Sequence, residues 1–210
     1  MDYSSQNIVI IDYGMGNLGS ISNMLKYLGA KATISNDFST IKNADKLILP
    51  GVGHFDKAME NIFRRSLDGV IHEMALEKGK PFLGICLGMQ LMCNSSDEGE
   101  SPGLKLVDAV VKKFNFPNNK ELKIPHMGWN YIQPKKQSTI LNGLDGESRF
   151  YFVHSYFVEC AIDTDVLTET SYGKYFVSSF EHNNLVGVQF HPEKSHRFGM
   201  TLFKNFLQYY

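Results

Sequence analysis

Gly84-Ile85-Cys86-Leu87-Gly88 sets one cysteine between two glycines, after the apolar Phe82-Leu83 and before the helical-looking Met89-Gln90-Leu91-Met92. This is the nucleophile-elbow pattern G-x-S-x-G with sulfur in place of oxygen. Such an elbow is a sharp strand-to-helix turn, where small flanking residues let strand and helix crowd together while the reactive atom stands clear. A helix start also offers unpaired N–H groups and the positive end of the macrodipole, which favour a thiolate. A cysteine among small residues can equally be a buried structural group. Paired glycines at a strand-to-helix junction favour the nucleophile.

A cysteine nucleophile needs a base and a group that orients it. The candidates lie over a hundred residues downstream in Leu185-Val186-Gly187-Val188-Gln189-Phe190-His191-Pro192-Glu193-Lys194-Ser195. An apolar strand there runs into Pro192, which cannot continue a β-ladder and turns the chain. His191 then stands at a strand end, where parallel sheets bind ligands, with Glu193 placed to accept from one ring nitrogen. Alone, His-x-Glu is as compatible with a surface turn. Together with the cysteine elbow it reads as a Cys-His-Glu triad.

Gly-Ile-Cys-Leu-Gly-Met-Gln and Gln-Phe-His-Pro-Glu-Lys-Ser resemble the class I glutamine amidotransferases, which are Cys-His-Glu glutaminases. Four further stretches narrow the resemblance: Asp12 to Leu18, Leu49 to Phe55, Pro125 to Asn130 and Tyr151 to Tyr156. These are similar to the glutaminase subunit of imidazole glycerol phosphate synthase, in order, from near residue 7 to the C-terminus. The resemblance implies that Gln90 and Glu98 bind L-glutamine and that His154, Ser155 and Tyr156 lie beside it. It further implies that Asn17, His126, Trp129 and Lys194 face a (β/α)8-barrel cyclase partner in a heterodimer. That partner takes up the ammonia to make imidazole glycerol phosphate and an aminoimidazole carboxamide nucleotide in histidine biosynthesis. The family uses neither cofactor nor metal.

The elements that must position these groups follow from the pattern of the chain. Its 210 residues, 43% hydrophobic and 20% charged, suit one large globular domain spanning 1–210. A net charge of −1 gives no electrostatic case for nucleic acid or an anionic membrane. Cys86, Cys93 and Cys160 have neither C-x-x-C spacing nor an even count, so neither a zinc ribbon nor a disulfide framework is suggested, and a reducing cytoplasm is expected. Met1 to Asn7 lacks the basic and apolar regions of an export signal.

Ile8-Val9-Ile10-Ile11 reads as a buried strand, followed by a helix carrying Leu18, Ile21, Leu25 and Leu28 and stopped at Gly29. Gly14-x-Gly16-x-x-Gly19 matches a dinucleotide fingerprint, with Asp37 where a ribose-binding acid would stand. A nucleotide-binding oxidoreductase is thus a rival, opposed by Asp12, whose carboxylate would sit where pyrophosphate should. Lys46 to Leu49 reads as a strand ending in Pro50-Gly51-Val52-Gly53. Those glycines make an ordinary turn, or they clear the way for backbone donors. For a glutaminase, the amides of Val52 and Leu87 are the proposed oxyanion hole, with Gly51 and Gly53 letting the Gly51–Val52 peptide turn between two orientations.

Residues 54 to 78 suggest two helices broken near Asp68-Gly69. Asn94 to Gly103 reads as a surface loop, in which Glu98 is by composition a solvated acid. Leu104 to Val107, Ala109 to Phe114 and Trp129 to Gln133 read as short strands. The run Phe150 to Val158 is interrupted by His154 and Ser155, which must find partners if buried; a core histidine usually finds one in a neighbour. Ser195 to Tyr210 is a terminal helix with Phe198, Leu202, Phe206 and Tyr209 on one stripe.

The expected fold is an α/β three-layer sandwich, flavodoxin-like, with a mainly parallel sheet, flanking helices and an additional β-rich segment. Two rivals share its chemistry. One is a paralogue feeding ammonia to another synthase, such as one for surface-polysaccharide sugars, motivated by departures at Lys112 to Leu122 and Cys160 to Tyr175. The other is a partnerless cysteine hydrolase such as a γ-glutamyl peptidase, against which stand Pro125 to Asn130 and Gly14 to Leu18.

Overall fold

The computed structural model describes Tyr3, residues 5–117 and residues 121–210. Of the segments read above, Met1, Asp2 and Ser4 of the N-terminus and residues 118–120 of the Lys112 to Leu122 stretch lie outside the described residues. The first half alternates strand and helix: β1 (Ile8–Ile11), α1 (Leu18–Tyr27), β2 (Ala32–Ser35), α2 (Phe38–Lys42), β3 (Lys46–Gly51), α3 (Phe55–Arg64), α4 (Leu67–His72), β4 (Phe82–Cys86) and α5 (Leu87–Leu91). The second half is richer in strand: β5 (Ser95–Ser96), β6 (Ala109–Lys113), β7 (His126–Tyr131), β8 (Gln133–Pro134), β9 (Arg149–His154), β10 (Tyr156–Cys160), β11 (Val166–Tyr172), β12 (Lys174–His182), β13 (Leu185–Val188) and α6 (His196–Tyr209).

One sheet runs β2-β1-β3-β4-β13-β12-β10-β6-β5, with β11 beside β12 and β8 beside β11. Its β2-β1-β3-β4-β13 half is parallel. There β1, β3, β4 and β13 are buried along their whole length, as strands covered on both faces must be. From β12 to β6 the pairing is antiparallel. One layer packs α2, α3, α4 and α5 against Val9, Ile11, Leu47 and Leu49. The other packs α1 and α6 against Ile8, Ile10, Ile48 and Leu83, together with an antiparallel ribbon of β7 and β9.

The three-layer expectation holds, and the β-rich segment proves to be the antiparallel half plus that ribbon. Phe150 to Val158 is therefore two strands: the chain leaves the ribbon at His154 and joins the large sheet at Tyr156. In β9 only alternate residues, Phe150, Phe152 and His154, point inward, so one face meets an aromatic cluster. Phe150 stacks on Phe190 with centroids 4.0 Å apart, and Phe152 lies 4.9 Å from the His126 ring.

Several boundaries differ from expectation. The break between α3 and α4 falls at Arg65–Ser66, where Ser66 takes φ 55°, and Asp68-Gly69 lies inside α4. Leu104 to Val107 is no strand: Leu104, Leu106 and Val107 donate their amides to Leu91 and Met92 carbonyls, wrapping the end of α5. The strand expected over Trp129 to Gln133 starts at His126 and ends at Tyr131. On α6, Leu202 and Phe206 are buried, but Tyr209 points out and Phe203 and Leu207 complete the apolar face. At the fingerprint positions the groups a nucleotide would use have partners within the chain. Asp12 Oδ1 takes the Gly14 amide at 2.9 Å, and Asp37 caps α2 by accepting from the Thr40 amide at 2.7 Å.

Candidate active site

Cys86 is the last residue of β4 and immediately precedes α5, with φ 54° and ψ −111°. That backbone conformation is rare for a residue with a side chain and is held only where the surroundings dictate it. The flanking glycines show what dictates it. A Cβ on Gly88 would stand 1.8 Å from the Leu49 carbonyl oxygen, and one on Gly84 would stand 2.9 Å from the Gly88 carbonyl oxygen. The elbow is thus pressed against β3, with Gly51 in register with Cys86. Cys86 is only 7% exposed, more sunken than an exposed turn thiol, but it lines a cavity open to solvent.

His191 reaches the same cavity from β13, the strand beside β4, where Val188 pairs with Ile85. β13 ends three residues before His191, and Pro192 begins a single 3-10 turn. Ser195 braces that turn: its hydroxyl donates to the His191 carbonyl at 2.6 Å and accepts the Tyr151 amide at 3.0 Å. Helix α6 packs so closely that a Cβ on Gly199 would stand 1.8 Å from the Pro192 carbonyl oxygen. Glu193 Oε1 pairs with His191 Nδ1 at 2.9 Å, and both side chains are almost fully buried. Nε2 has no hydrogen-bond partner and is the ring nitrogen left free for the Cys86 side of the cavity. Burial opposes charge on this imidazole, but the Cys86 sulfur and the Glu193 carboxylate outweigh it and raise its pKa to about 10.

The cavity, about 320 Å³, is lined by Val52, Gly53, Cys86, Leu87, Gln90 and Glu98 from the first half of the chain. The second half adds Pro125, Val153, His154, Ser155, Tyr156 and His191. The proposed triad, oxyanion and glutamine-binding residues therefore meet in one place, except that Gly51 and Glu193 stand behind its wall. Gly51 is needed for space, not for freedom: a Cβ there would stand 2.6 Å from the Tyr13 hydroxyl and 2.9 Å from the Gly88 nitrogen. Gly53, with φ 111°, is the position that takes a conformation open chiefly to glycine.

Glu98 is not a free solvated acid. Its Oε2 accepts the Phe55 amide at 2.9 Å, satisfying the first turn of α3. The Gln90 amide nitrogen donates to the Gln189 Oε1 at 3.0 Å and the Tyr156 carbonyl at 3.3 Å. Both its protons are used, so Gln90 can offer a ligand only its oxygen. The His154 ring is fully engaged, through the Tyr156 carbonyl at 2.7 Å and His126 at 3.0 Å. It is a satisfied core histidine whose pKa burial holds down to about 3.

Of the residues expected to face a partner, Trp129 is 43% exposed, with Met127 and Tyr131 beside it on the outer side of β7. Lys194 is exposed, lying 5.7 Å from the Tyr151 ring, and Asn17 precedes α1 half-buried. His126 is different: its side chain is buried beneath the ribbon, so direct contact with another molecule is not available to it.

Two side chains at the site went unread in the sequence. Gln189 is wholly buried, and its amide nitrogen lies 3.8 Å from the Cys86 sulfur. The signal for it was an amide inside an otherwise apolar run, two residues before His191. Tyr13 is also wholly buried, its hydroxyl unpartnered beside Gly51. Burial, and the Cys86 sulfur next, push its pKa upward. Among the described residues, no three His, Cys, Asp or Glu side chains group closely enough to hold a metal ion, and no helix is long and apolar enough to cross a membrane.

Residues 9–209 match the family described as "Glutamine amidotransferase class-I". A relative from Methanococcus maripaludis, named imidazole glycerol phosphate synthase subunit HisH 2, is 48% identical over 96% of this chain and 98% of its own. One of the same name from Pseudomonas aeruginosa is 46% identical over the same shares. The Aquifex aeolicus subunit HisH is 49% identical over 94% of each. Among solved structures, one titled as a glutamine amidotransferase superposes with TM-score 0.74 at 17% identity over 95% of this chain and 97% of that one, a likeness of fold.

Proposed function

The chain belongs to the class I glutamine amidotransferase family, and from that premise we propose that Cys86, His191 and Glu193 hydrolyse L-glutamine to glutamate and ammonia. The observation that carries the assignment is the meeting of Cys86 and His191 in one cavity, at the carboxyl ends of neighbouring parallel strands, with Glu193 on the far ring nitrogen. The Cys86 thiolate attacks the side-chain amide carbon. The amides of Val52 and Leu87 receive the developing oxyanion, and the His191 imidazolium gives its proton to the leaving nitrogen. Ammonia departs and a glutamyl thioester remains. Water, deprotonated by His191, then attacks the thioester, releasing glutamate and restoring the thiolate, while Glu193 keeps the imidazole oriented.

Gln90 and Glu98 contribute acceptor oxygens, Gln90 Oε1 and Glu98 Oε1, which suits them to the ammonium end of the amino acid. Ser155 and Tyr156 line the same cavity. Described residues on both halves of the chain build this single cavity, which supports reading residues 1–210 as one glutaminase domain.

The relatives are named as subunit HisH of imidazole glycerol phosphate synthase, which supports reading this chain as that synthase's glutaminase subunit, in histidine biosynthesis, over the surface-sugar alternative. A subunit implies a synthase partner. We infer that this is a (β/α)8-barrel cyclase docked over Trp129, Asn17 and Lys194, so that ammonia passes to it without meeting bulk water. Such a pair works in the cytoplasm.

Ammonia release from glutamine by the purified chain, alone and with the barrel subunit, tests the assignment. Cys86→Ala is expected to abolish it, while Cys93→Ala, with its thiol buried one helical segment away, keeps it. Full activity in Cys86→Ala would overturn the mechanism, and equal rates with and without the partner would remove the need for a turning Gly51–Val52 peptide.

A further inference from the structure

Starting from Cys86, an unbroken line of hydrogen bonds leads away from the cavity to the ribbon. Gln189 Nε2 donates to the Cys86 sulfur at 3.8 Å, and Gln189 Oε1 accepts from Gln90 Nε2 at 3.0 Å. Gln90 Nε2 also donates to the Tyr156 carbonyl at 3.3 Å, which His154 Nδ1 meets at 2.7 Å. His154 Nε2 faces His126 Nδ1 at 3.0 Å, and His126 Nε2 faces Asn130 Nδ2 at 3.2 Å. Asn130 Nδ2 finally donates to the Ser171 carbonyl at 3.0 Å.

The directions of the bonds between the Tyr156 and Ser171 carbonyls are fixed from both ends, because a backbone carbonyl can only accept. The Tyr156 carbonyl requires a proton on His154 Nδ1, which leaves Nε2 to accept and requires a proton on His126 Nδ1. The Ser171 carbonyl requires Asn130 to present its NH2, which leaves His126 Nε2 to accept. Both routes demand the same tautomer in both rings. A second proton on either ring would set donor against donor, and burial keeps both rings neutral near pH 7.

The Gln90 amide is fixed by the same Tyr156 carbonyl, and Gln90 in turn fixes Gln189. Turning Gln189 over would place an oxygen against the sulfur and leave two NH2 groups facing each other.

We propose that Gln189 is a positioning residue that aims a hydrogen bond at the Cys86 sulfur, and that the His126–His154 pair, in its Nδ1–H tautomer, holds it there from the ribbon. This rests on the reading of Cys86 as the nucleophile. A donor to sulfur stabilises a thiolate more than a thiol, so the network sets how readily Cys86 reacts. It also gives a buried role to His126, whose neighbours on β7 face outward. A molecule docked there would bear on Asn130 and, through it, on the His126 ring, without touching the cavity.

Two measurements on the full chain test this, and both must succeed. Long-range proton–nitrogen spectra of histidine-labelled protein at pH 7 are expected to show His126 and His154 neutral and protonated on Nδ1. Alkylation of Cys86 by iodoacetamide, followed against pH, is expected to show a profile displaced to higher pH by about one unit in Gln189→Leu relative to the unaltered protein. His154→Phe is expected to move the midpoint in the same direction by less.

A proton on Nε2 of either ring, or a midpoint unmoved in Gln189→Leu, would overturn the proposal. Should Gln189→Leu fail to fold, Gln189→Met, of similar volume and without the donor, is read in its place against the same outcomes. Alkylation involves no glutamine. A shifted midpoint in a protein that releases no ammonia would therefore sink the glutaminase assignment and leave the positioning role standing.

Discussion

His191 and Glu193 are two residues apart in sequence, yet only their burial together gives the pair its force. In water a carboxylate beside an imidazole shifts its titration little, because solvent screens both. Here both are nearly sealed, and the imidazole pKa is raised from its ordinary 6.5 to about 10. A raised value means that the proton is lost only as pH climbs through about 10, so the acid that serves the leaving nitrogen persists at neutral pH. Glu193→Gln removes the carboxylate that, with the Cys86 sulfur, holds it up, so the imidazole pKa falls. The alkaline limb of glutamine hydrolysis is then expected to move to lower pH, with kcat reduced by about a hundredfold or more. Initial rates of ammonia release between pH 6 and 10.5 check this, and an unshifted limb would show that Glu193 does not act through His191. Gln90 and Glu98 show the opposite economy at this scale: each spends part of its hydrogen-bonding capacity inside the protein, and the part left over is what a ligand meets.

Between β4 and α5 the chain has no room for even one added carbon. Gly88→Ala would drive its Cβ into the Leu49 carbonyl, and because that atom is backbone, β3 itself must move. Overpacking of this kind costs about 1–3 kcal/mol or more. For a chain of this size, that lowers Tm by roughly 2–12 °C. The same displacement carries Gly51 and Val52 away from Cys86, so glutamine hydrolysis is expected to fall by more than the loss of folded protein explains. Calorimetry and kinetics on one preparation separate the two effects, and a variant with unchanged Tm would contradict the close packing. This element was legible in the sequence because paired glycines around a cysteine have few other reasons to exist. The break between α3 and α4 was not. Ser66 adopts a left-handed conformation that its residue type does not announce, whereas Gly69, which does announce a break, sits inside a helix with open space beside it.

Across the molecule, the two buried neutral histidines tie stability to pH. His126 and His154 have pKa values held down to about 4 and 3 by burial, against an ordinary 6.5. Unfolded, they take up protons below 6.5; folded, they do not. Their contribution is therefore complete above that pH and drains away as pH falls through 4 and 3. The thermal midpoint is expected to drop between pH 6.5 and 4, and the double variant His126→Leu with His154→Phe to show a shallower drop. Parallel slopes in circular dichroism melts would count against the pair. The sequence by itself determined the nucleophile, its base, the strand-helix alternation and the family, because these are written in local spacing: glycines around a thiol, a proline after a strand-end histidine, apolar periods. What only the tertiary structure decided is which polar groups remain free. Glu98 capping α3, His126 turned inward, Gln189 beside the sulfur and Gly51 held for space all depend on atoms brought together from distant segments. Hydrogen-bond partners and close approaches of that kind leave no periodicity in the chain.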